Sequence, residues 1–265
     1  MRITRSVAES NYLRIASNEP AGLGATRANL SRLLRSLDFV GWSTHEESGR
    51  LDRRALTRYA TGSGAIFSRR AYKEAEKSAV SVLIDCSSSM DGQRIVIAEE
   101  IAIHLSKIFN KSRVPFAVTG FHIGRGSYDH VNGNEAVTSI PTFIQFKRWN
   151  EPFGQCTAKL GSIAHSAVGG TPDYSAIYNI IDDISHRQEH RRIVFILTDA
   201  DGYNRGHMKH LQNFADSLGI TLIAIGIGRT DVTNCFVNSQ DVLDLSQLAS
   251  TAFNQLLRVV ERKSK

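Results

Sequence analysis

The feature that most constrains the fold is an alternation of short apolar runs with longer amphipathic stretches, which begins near residue 80. Short continuous apolar runs are typical of parallel strands buried on both faces, and amphipathic stretches between them are typical of crossover helices. The alternation therefore predicts an α/β fold with a doubly wound, mostly parallel sheet and helices on both faces.

The boundaries of these elements follow from the spacing of apolar residues. Strands are predicted at residues 80–84, 114–123, 141–146, 191–197 and 220–227, with a short extended piece at 235–237. Helices are predicted at residues 92–110, 157–168, 173–186, 205–218 and 241–260. Residues 124–135 are rich in glycine and polar side chains, which indicates a loop.

The N-terminal part of the chain is more basic than the rest. Residues 1–79 carry 14 Lys and Arg against 8 Asp and Glu, whereas the later residues carry 18 of each, so the net charge of +6 belongs to this part. Apolar periodicity predicts helices at residues 26–37 and 51–59. We expect a basic, mainly helical N-terminal extension over residues 1–77 and one α/β domain over residues 78–262.

Composition argues against several classes of protein. No apolar run approaches the roughly 20 residues that a membrane-spanning helix needs, and residues 1–20 lack the apolar segment of a secretory signal. We therefore expect a cytoplasmic protein that makes no membrane contact. Cys86, Cys156 and Cys235 are far apart and form no CxxC pair, which predicts reduced thiols rather than a disulfide framework or a zinc knuckle.

Polar residues are concentrated in three segments that follow or approach predicted strands. Residues 85–89 form a D-x-S-x-S sequence directly after the first strand, residues 169–172 form a Gly-Gly-Thr-Pro turn, and residues 198–199 follow the strand at 191–197. Because ligands of doubly wound folds bind outside the carboxyl ends of the strands, we expect the three segments to meet at one edge of the sheet.

Together these segments supply oxygen-bearing side chains suited to a hard divalent cation. The candidate metal ligands are Asp85, Ser87, Ser89, Thr171 and Asp199. Mg²⁺ is the expected ion, with Mn²⁺ and Ca²⁺ as alternatives. Because Mg²⁺ keeps several water ligands, one coordination position is expected to stay open to an acidic residue of another protein.

These residues resemble the pattern of a von Willebrand factor A (VWA) domain with a metal-ion-dependent adhesion site (MIDAS). The resemblance implies that the two serines and the threonine bind the ion directly or through water, whereas the two aspartates act through hydrogen bonds or water. The sequence departs from the family at Ser88, where glycine is usual, and after Asp199, where Ala200, Asp201 and Gly202 follow. It leaves open whether Asp201 supports the ion or competes with Asp199.

Two longer stretches, residues 51–90 and 222–260, are similar to the C-terminal part of the CobT subunit of the aerobic cobaltochelatase. This resemblance implies a partnership with an AAA+ ATPase of the MoxR or CobS type. It also implies a large chelatase subunit and cobalt insertion in cobalamin biosynthesis, or a related remodelling task. The chain differs from that subunit in being much shorter and in starting basic.

No catalytic motif accompanies the candidate metal site. The sequence contains no H-E-x-x-H, no G-x-S-x-G and no phosphate-binding P-loop, and His207 and His210 are interpreted as part of a solvated helix face. We expect a non-catalytic adaptor. Two alternatives are a Mg²⁺-dependent phosphoester hydrolase, which the serine-rich ligand set does not favour, and a nucleic-acid-binding module that uses the basic N-terminal segment, for which no recognition motif is found.

Overall fold

The structure is a computed structural model that describes residues 3–18, 28, 38–55, 65–73, 78–123, 140–228 and 232–242. The chain divides into two compact units. Residues Arg35–Glu76 form the smaller unit, and Met1–Leu34 together with Lys77–Lys265 form the larger one. No helix within the described ranges combines the length and the apolar character needed to cross a membrane.

The elements are numbered along the chain. The helices are α1 (Arg5–Ser17), α2 (Gln93–Lys111), α3 (Thr157–Leu160), α4 (Asp173–Ser185), α5 (Arg205–Ser217) and α6 (Val232–Cys235). The strands are β1 (Asp38–Glu46), β2 (Arg50–Leu51), β3 (Phe67–Lys73), β4 (Ser78–Asp85), β5 (Phe116–His122), β6 (Thr142–Lys147), β7 (Arg191–Thr198), β8 (Ile220–Ile227) and β9 (Ser239–Val242).

The larger unit contains a six-stranded sheet in the order β6-β5-β4-β7-β8-β9. Every neighbouring pair is parallel except β5 and β6, which are antiparallel at one edge. All residues of β4 and β8 are buried, as expected for central strands covered on both faces. The predicted doubly wound, mostly parallel architecture is confirmed, and β8 has the predicted bounds.

Two apolar layers cover the faces of this sheet. One layer packs α2 against the sheet, with α1 lying on α2 and α3, and its buried side chains include Phe109, Phe146 and Phe195. The other layer packs α4 and α5 against the opposite face, with Phe121 among its buried side chains. Cys86, Cys156 and Cys235 are all buried and unpaired, in agreement with the predicted thiols.

Helix α1 is part of the larger unit and was not predicted from the sequence. Ala8, Tyr12 and Ile15 are buried and recur at the i, i+4, i+7 spacing of one helix face. Asn11 Nδ2 donates to Glu99 Oε2 at 2.9 Å and to the Gly161 carbonyl at 3.1 Å, which ties α1 to the domain. The apolar stripe is only three residues long within a polar helix, so periodicity alone did not single it out.

The smaller unit is a three-stranded antiparallel sheet in the order β1-β3-β2. The prediction of a mainly helical N-terminal extension is therefore wrong for residues 38–55 and 65–73, where the structure has strands and one 3₁₀ turn at Arg53–Ala55. The helix predicted at residues 51–59 is replaced by β2 and that turn over 51–55. Strand pairing, with Leu51 opposite Phe67, outweighed the local helical periodicity.

Other boundaries differ more locally. Residue 235, predicted as the start of an extended piece, is the last residue of α6. Residues 241 and 242, predicted as the start of a helix, belong to β9. The stretch predicted as one helix at residues 157–168 contains α3 and a separate 3₁₀ turn at Ile163–His165. Three predictions fall outside the described ranges: the helix at residues 26–37, of which only the helical Ala28 is described, the loop at residues 124–135, and the rest of the final helix at residues 243–260.

Candidate metal site

The first loop of the site begins where β4 ends. Asp85 is fully buried, and its Oδ1 accepts a hydrogen bond from the Ser87 amide at 2.9 Å. This bond turns the backbone, so that the hydroxyls of Ser87 and Ser89 lie 2.9 Å apart and share a hydrogen bond. A 3₁₀ turn at Ser88–Met90 then leads into α2. The loop therefore brings two hydroxyls and one carboxylate together at the carboxyl end of a central strand.

Asp85 is held in an environment that disfavours its charge. Burial raises the pKa of its carboxyl to about 6, although hydrogen bonds from Ser87 and Thr198 act in the opposite direction. The negative charge of Asp199 also raises the pKa of Asp85, to a smaller extent. A cation that binds nearby stabilises the ionised form of such a carboxylate, because its positive charge offsets the cost of burying the negative charge.

The second loop carries the Gly-Gly-Thr-Pro turn and is held against the first. The Gly169 carbonyl accepts hydrogen bonds from the Ser88 amide at 2.9 Å and from Ser88 Oγ at 2.8 Å. Gly169 has a φ of +74°, and a Cβ there would lie 1.9 Å from the Ile123 carbonyl oxygen. Only glycine fits this position, and the partly exposed Thr171 follows two residues later.

The third loop follows β7 and carries Asp199, which is 5% exposed. Asp199 Oδ2 accepts a hydrogen bond from Arg94 Nη1 at 2.7 Å, and Arg94 Nη1 also donates to the Ser89 carbonyl at 3.0 Å. Ala200 adopts a left-handed φ of +54°, in the stretch where the family usually has glycine. The Asp201 amide donates to Asp199 Oδ1 at 3.2 Å, while the Asp201 side chain is exposed.

Hydrogen bonds connect most of the residues that the sequence singled out. Asp85, Ser87 and Ser89 lie in one bonded loop, and Arg94 links this loop to Asp199. Thr171 is brought to the same edge of the sheet by the bonds of the preceding Gly169, and its own hydroxyl has no described bond to the other four residues. Backbone and side-chain hydrogen bonds therefore bring the three segments together at the carboxyl edge of the sheet, as expected.

The departures from the family pattern have local explanations. The Ser88 hydroxyl binds the Gly169 carbonyl, so a serine replaces glycine here while adding a tie between the two loops. Cys86 is buried, and its thiol pKa is raised by burial and by the charge of Asp85. A thiol in that position is unreactive.

Sequence reasoning assigned no role to two residues that support the site, Thr198 and Arg94. Thr198 Oγ1 donates to Asp85 Oδ2 at 2.8 Å and accepts from the Ala200 amide at 2.9 Å. Arg94 lies on α2, and its link to Asp199 spans 105 positions in the chain. Only Thr198, adjacent to a candidate ligand, carried a signal in the sequence.

The donor set fits a hard divalent cation. Within the described ranges, no group of three or more His, Cys, Asp or Glu is placed to hold a metal ion. The site instead combines hydroxyl oxygens with two carboxylates, which are the oxygen ligands that Mg²⁺, Mn²⁺ and Ca²⁺ accept. His210 Nδ1 lies 3.0 Å from the Tyr174 hydroxyl, a local contact that gives no support to a histidine metal site.

The parallel sheet and the three loops at its carboxyl edge define a protein of the VWA class. Residues 66–262 match the family model described as the VWA domain of the cobalamin biosynthesis protein CobT. This match covers most of the chain, and the chain belongs to the CobT VWA-domain family.

Solved structures share the fold at low sequence identity. A conserved hypothetical protein, BatB from Bacteroides thetaiotaomicron, is 14% identical with a TM-score of 0.50, and the match covers 69% of this chain and 99% of that one. Proximal thread matrix protein 1 from the mussel byssus, with a zinc-occupied MIDAS motif, is 15% identical with a TM-score of 0.50. That match covers 68% of this chain and 46% of the mussel protein. At these identities the likeness concerns the fold alone.

Proposed function

We propose that this chain is a CobT-like subunit that binds Mg²⁺ at its VWA metal site and acts as a non-catalytic adaptor. The observation that carries the proposal is the set of hydrogen bonds that assembles loops from β4, from the turn before α4 and from β7 at one sheet edge. Such an arrangement has the properties of a preformed metal site rather than of three unrelated strand ends, because the loops fix one another.

Five residues would hold the ion in this proposal. The hydroxyls of Ser87, Ser89 and Thr171 would bind it directly or through water, while Asp85 and Asp199 would bind it through water or through hydrogen-bonded ligands. The ion would supply a positive charge with an open coordination position. A carboxylate from a partner protein would complete its coordination, so that partner binding would depend on the metal.

An adaptor is favoured over a hydrolase by the state of the two carboxylates. A metal-dependent hydrolase needs a general base that can reach a metal-bound water. Asp85 is fully buried and accepts hydrogen bonds from Ser87 and Thr198, and Asp199 is engaged by Arg94. In this conformation both carboxylates accept hydrogen bonds from the protein and neither is free to act as a general base, which suits a binding site better than a catalytic one.

The family gives the partners of the proposal. We infer that the subunit works in the cytoplasm with an AAA+ ATPase of the MoxR or CobS type and couples it to a target. A large chelatase subunit would be that target if the chain serves cobalt insertion, and another protein would be the target in a related remodelling complex.

A metal-dependent capture experiment with the full chain tests the proposal. The tagged chain is incubated with purified AAA+ ATPase of the MoxR type, in Mg²⁺, in EDTA, and in EDTA followed by excess Mg²⁺. We expect retention with Mg²⁺, loss with EDTA and recovery when Mg²⁺ is restored. Asp85→Ala and Asp199→Ala should abolish retention, whereas Asp182→Ala, which removes an exposed carboxylate on α4, should not.

The fold of each variant is checked by circular dichroism before capture. Retention of the ATPase by both site variants, or retention that ignores EDTA, would contradict the adaptor mechanism. Recovery of nucleic acid that resists EDTA and is removed by salt would instead support the alternative based on the basic N-terminal segment.

A further inference from the structure

The strongest unassigned feature of the site is the guanidinium of Arg94. This arginine is the second residue of α2, and one of its nitrogens donates to both the Ser89 carbonyl and Asp199 Oδ2, at 3.0 and 2.7 Å. It thus bridges the first loop of the candidate metal site to the third. Neither the sequence pattern nor the family match assigns it a role.

The two partners of this ion pair have very different exposure. The Asp199 side chain is 3% exposed, whereas the Arg94 side chain is 44% exposed. A buried carboxylate without a cation is strongly disfavoured, so Arg94 stabilises the negative charge of Asp199 in this conformation. Because almost half of the arginine side chain reaches solvent, its guanidinium can leave the carboxylate without being transferred into an apolar environment.

Asp199 therefore has two competing uses. As a ligand of a divalent cation, directly or through water, it has to direct its charge toward the ion, whereas here one of its oxygens is bound to the Arg94 guanidinium and the other to the Asp201 amide. A divalent ion and a guanidinium within a few ångströms repel each other, so both cannot be held at full strength on one carboxylate.

We propose that Arg94 is a resident competitor of the metal, which lowers the affinity of the site for divalent cations and is displaced from Asp199 when a cation binds. This inference rests on the proposed metal site and concerns its regulation. After displacement, the guanidinium stays tethered by α2 at the rim of the site. There it is suited to a carboxylate of the partner, since arginine binds carboxylates through a planar fork of donors.

The alternative is that Arg94 only braces the loops. The two possibilities differ in the sign of one effect. A brace holds the ligands in place, so its removal loosens the site and weakens metal binding. A competitor opposes the ion, so its removal strengthens metal binding even though the metal-free protein becomes less stable.

The test is a titration of the purified full chain with Mn²⁺, without any partner protein. The concentration of free Mn²⁺ is measured at each step by electron paramagnetic resonance. Arg94→Gln keeps an amide donor, on a shorter side chain, and removes the positive charge. We expect it to bind Mn²⁺ up to about fivefold more tightly than the wild type, as removal of a partly exposed ion pair would allow. Arg94→Lys keeps the charge and should bind like the wild type.

Two further measurements separate the outcomes. Arg148→Gln removes one exposed positive charge outside the site and should leave Mn²⁺ affinity unchanged, which controls for the overall charge of the chain. In thermal melts, Arg94→Gln should melt below the wild type in EDTA and show a larger rise on addition of Mn²⁺.

Unchanged or weaker Mn²⁺ binding by Arg94→Gln, with normal binding by the wild type, overturns the competitor role and leaves the metal site itself intact. If neither the wild type nor any variant binds Mn²⁺, the proposed metal-dependent function fails first, and the competitor role fails with it.

Discussion

Thr198 provides the sharpest test of how the site is held together. Its hydroxyl donates to Asp85 Oδ2 at 2.8 Å and accepts from the Ala200 amide at 2.9 Å, and the residue is fully buried. Thr198→Val keeps the branched shape and removes the hydroxyl. Two buried polar groups, one of them a carboxylate, would then lose their partner at the same time.

The magnitude follows from these two bonds. A hydrogen bond to a charged group contributes about 1.5–3 kcal/mol, and a buried amide left without a partner costs about 1–3 kcal/mol. We expect Thr198→Val to lower the free energy of unfolding by about 3–5 kcal/mol. Because the Thr198 bond lowers the pKa of Asp85, its loss should raise that pKa further. Metal binding, which needs the ionised carboxylate, should weaken in parallel.

Urea unfolding at pH 7.5 in EDTA measures the first effect, with Thr198→Ser as the matched control. The serine variant keeps the oxygen and loses one methyl group, which should cost only about 1 kcal/mol. If the valine variant unfolds within about 1 kcal/mol of the serine variant, the hydroxyl does not carry the stabilisation and the reasoning is refuted.

Two other predictions concern the same loops. In EDTA, the free energy of unfolding should fall by up to about 3 kcal/mol as the pH rises from about 4 to about 6, because burial raises the pKa of Asp85 to about 6 and the native state holds that proton more tightly than the unfolded chain. Denaturation curves of Asp85→Asn should lack this slope, and an equal slope in both proteins would assign it to another group. Gly169→Ala should weaken Mn²⁺ binding and lower the melting temperature, since its Cβ would lie 1.9 Å from the Ile123 carbonyl oxygen. Gly154→Ala meets nothing within 4 Å and should change neither, so equal effects of the two substitutions would contradict the steric argument.

The central strands were predictable because burial on both faces leaves a continuous apolar signal. β8 has the predicted bounds, β4 is longer than predicted by two residues at its start and one at its end, and β7 is longer by one residue at its end. The smaller unit was harder, because strands paired across an antiparallel sheet depend on partners that are distant in sequence. Residues 51–55 have a local pattern that favours a helix, yet β2 pairs with β3 through Arg50 opposite Ser68 and Leu51 opposite Phe67.

The sequence by itself determined the fold class and the residue types of the candidate site, because strand periodicity and the D-x-S-x-S, threonine and aspartate pattern are local signals. Only the tertiary structure decided what surrounds those residues. Arg94 contacts Asp199 because α2 and the end of β7 meet at the same edge of the sheet, and Thr198 contacts Asp85 because β4 and β7 are adjacent strands. Pairings of this kind depend on packing between elements about 100 residues apart, which local sequence patterns do not encode.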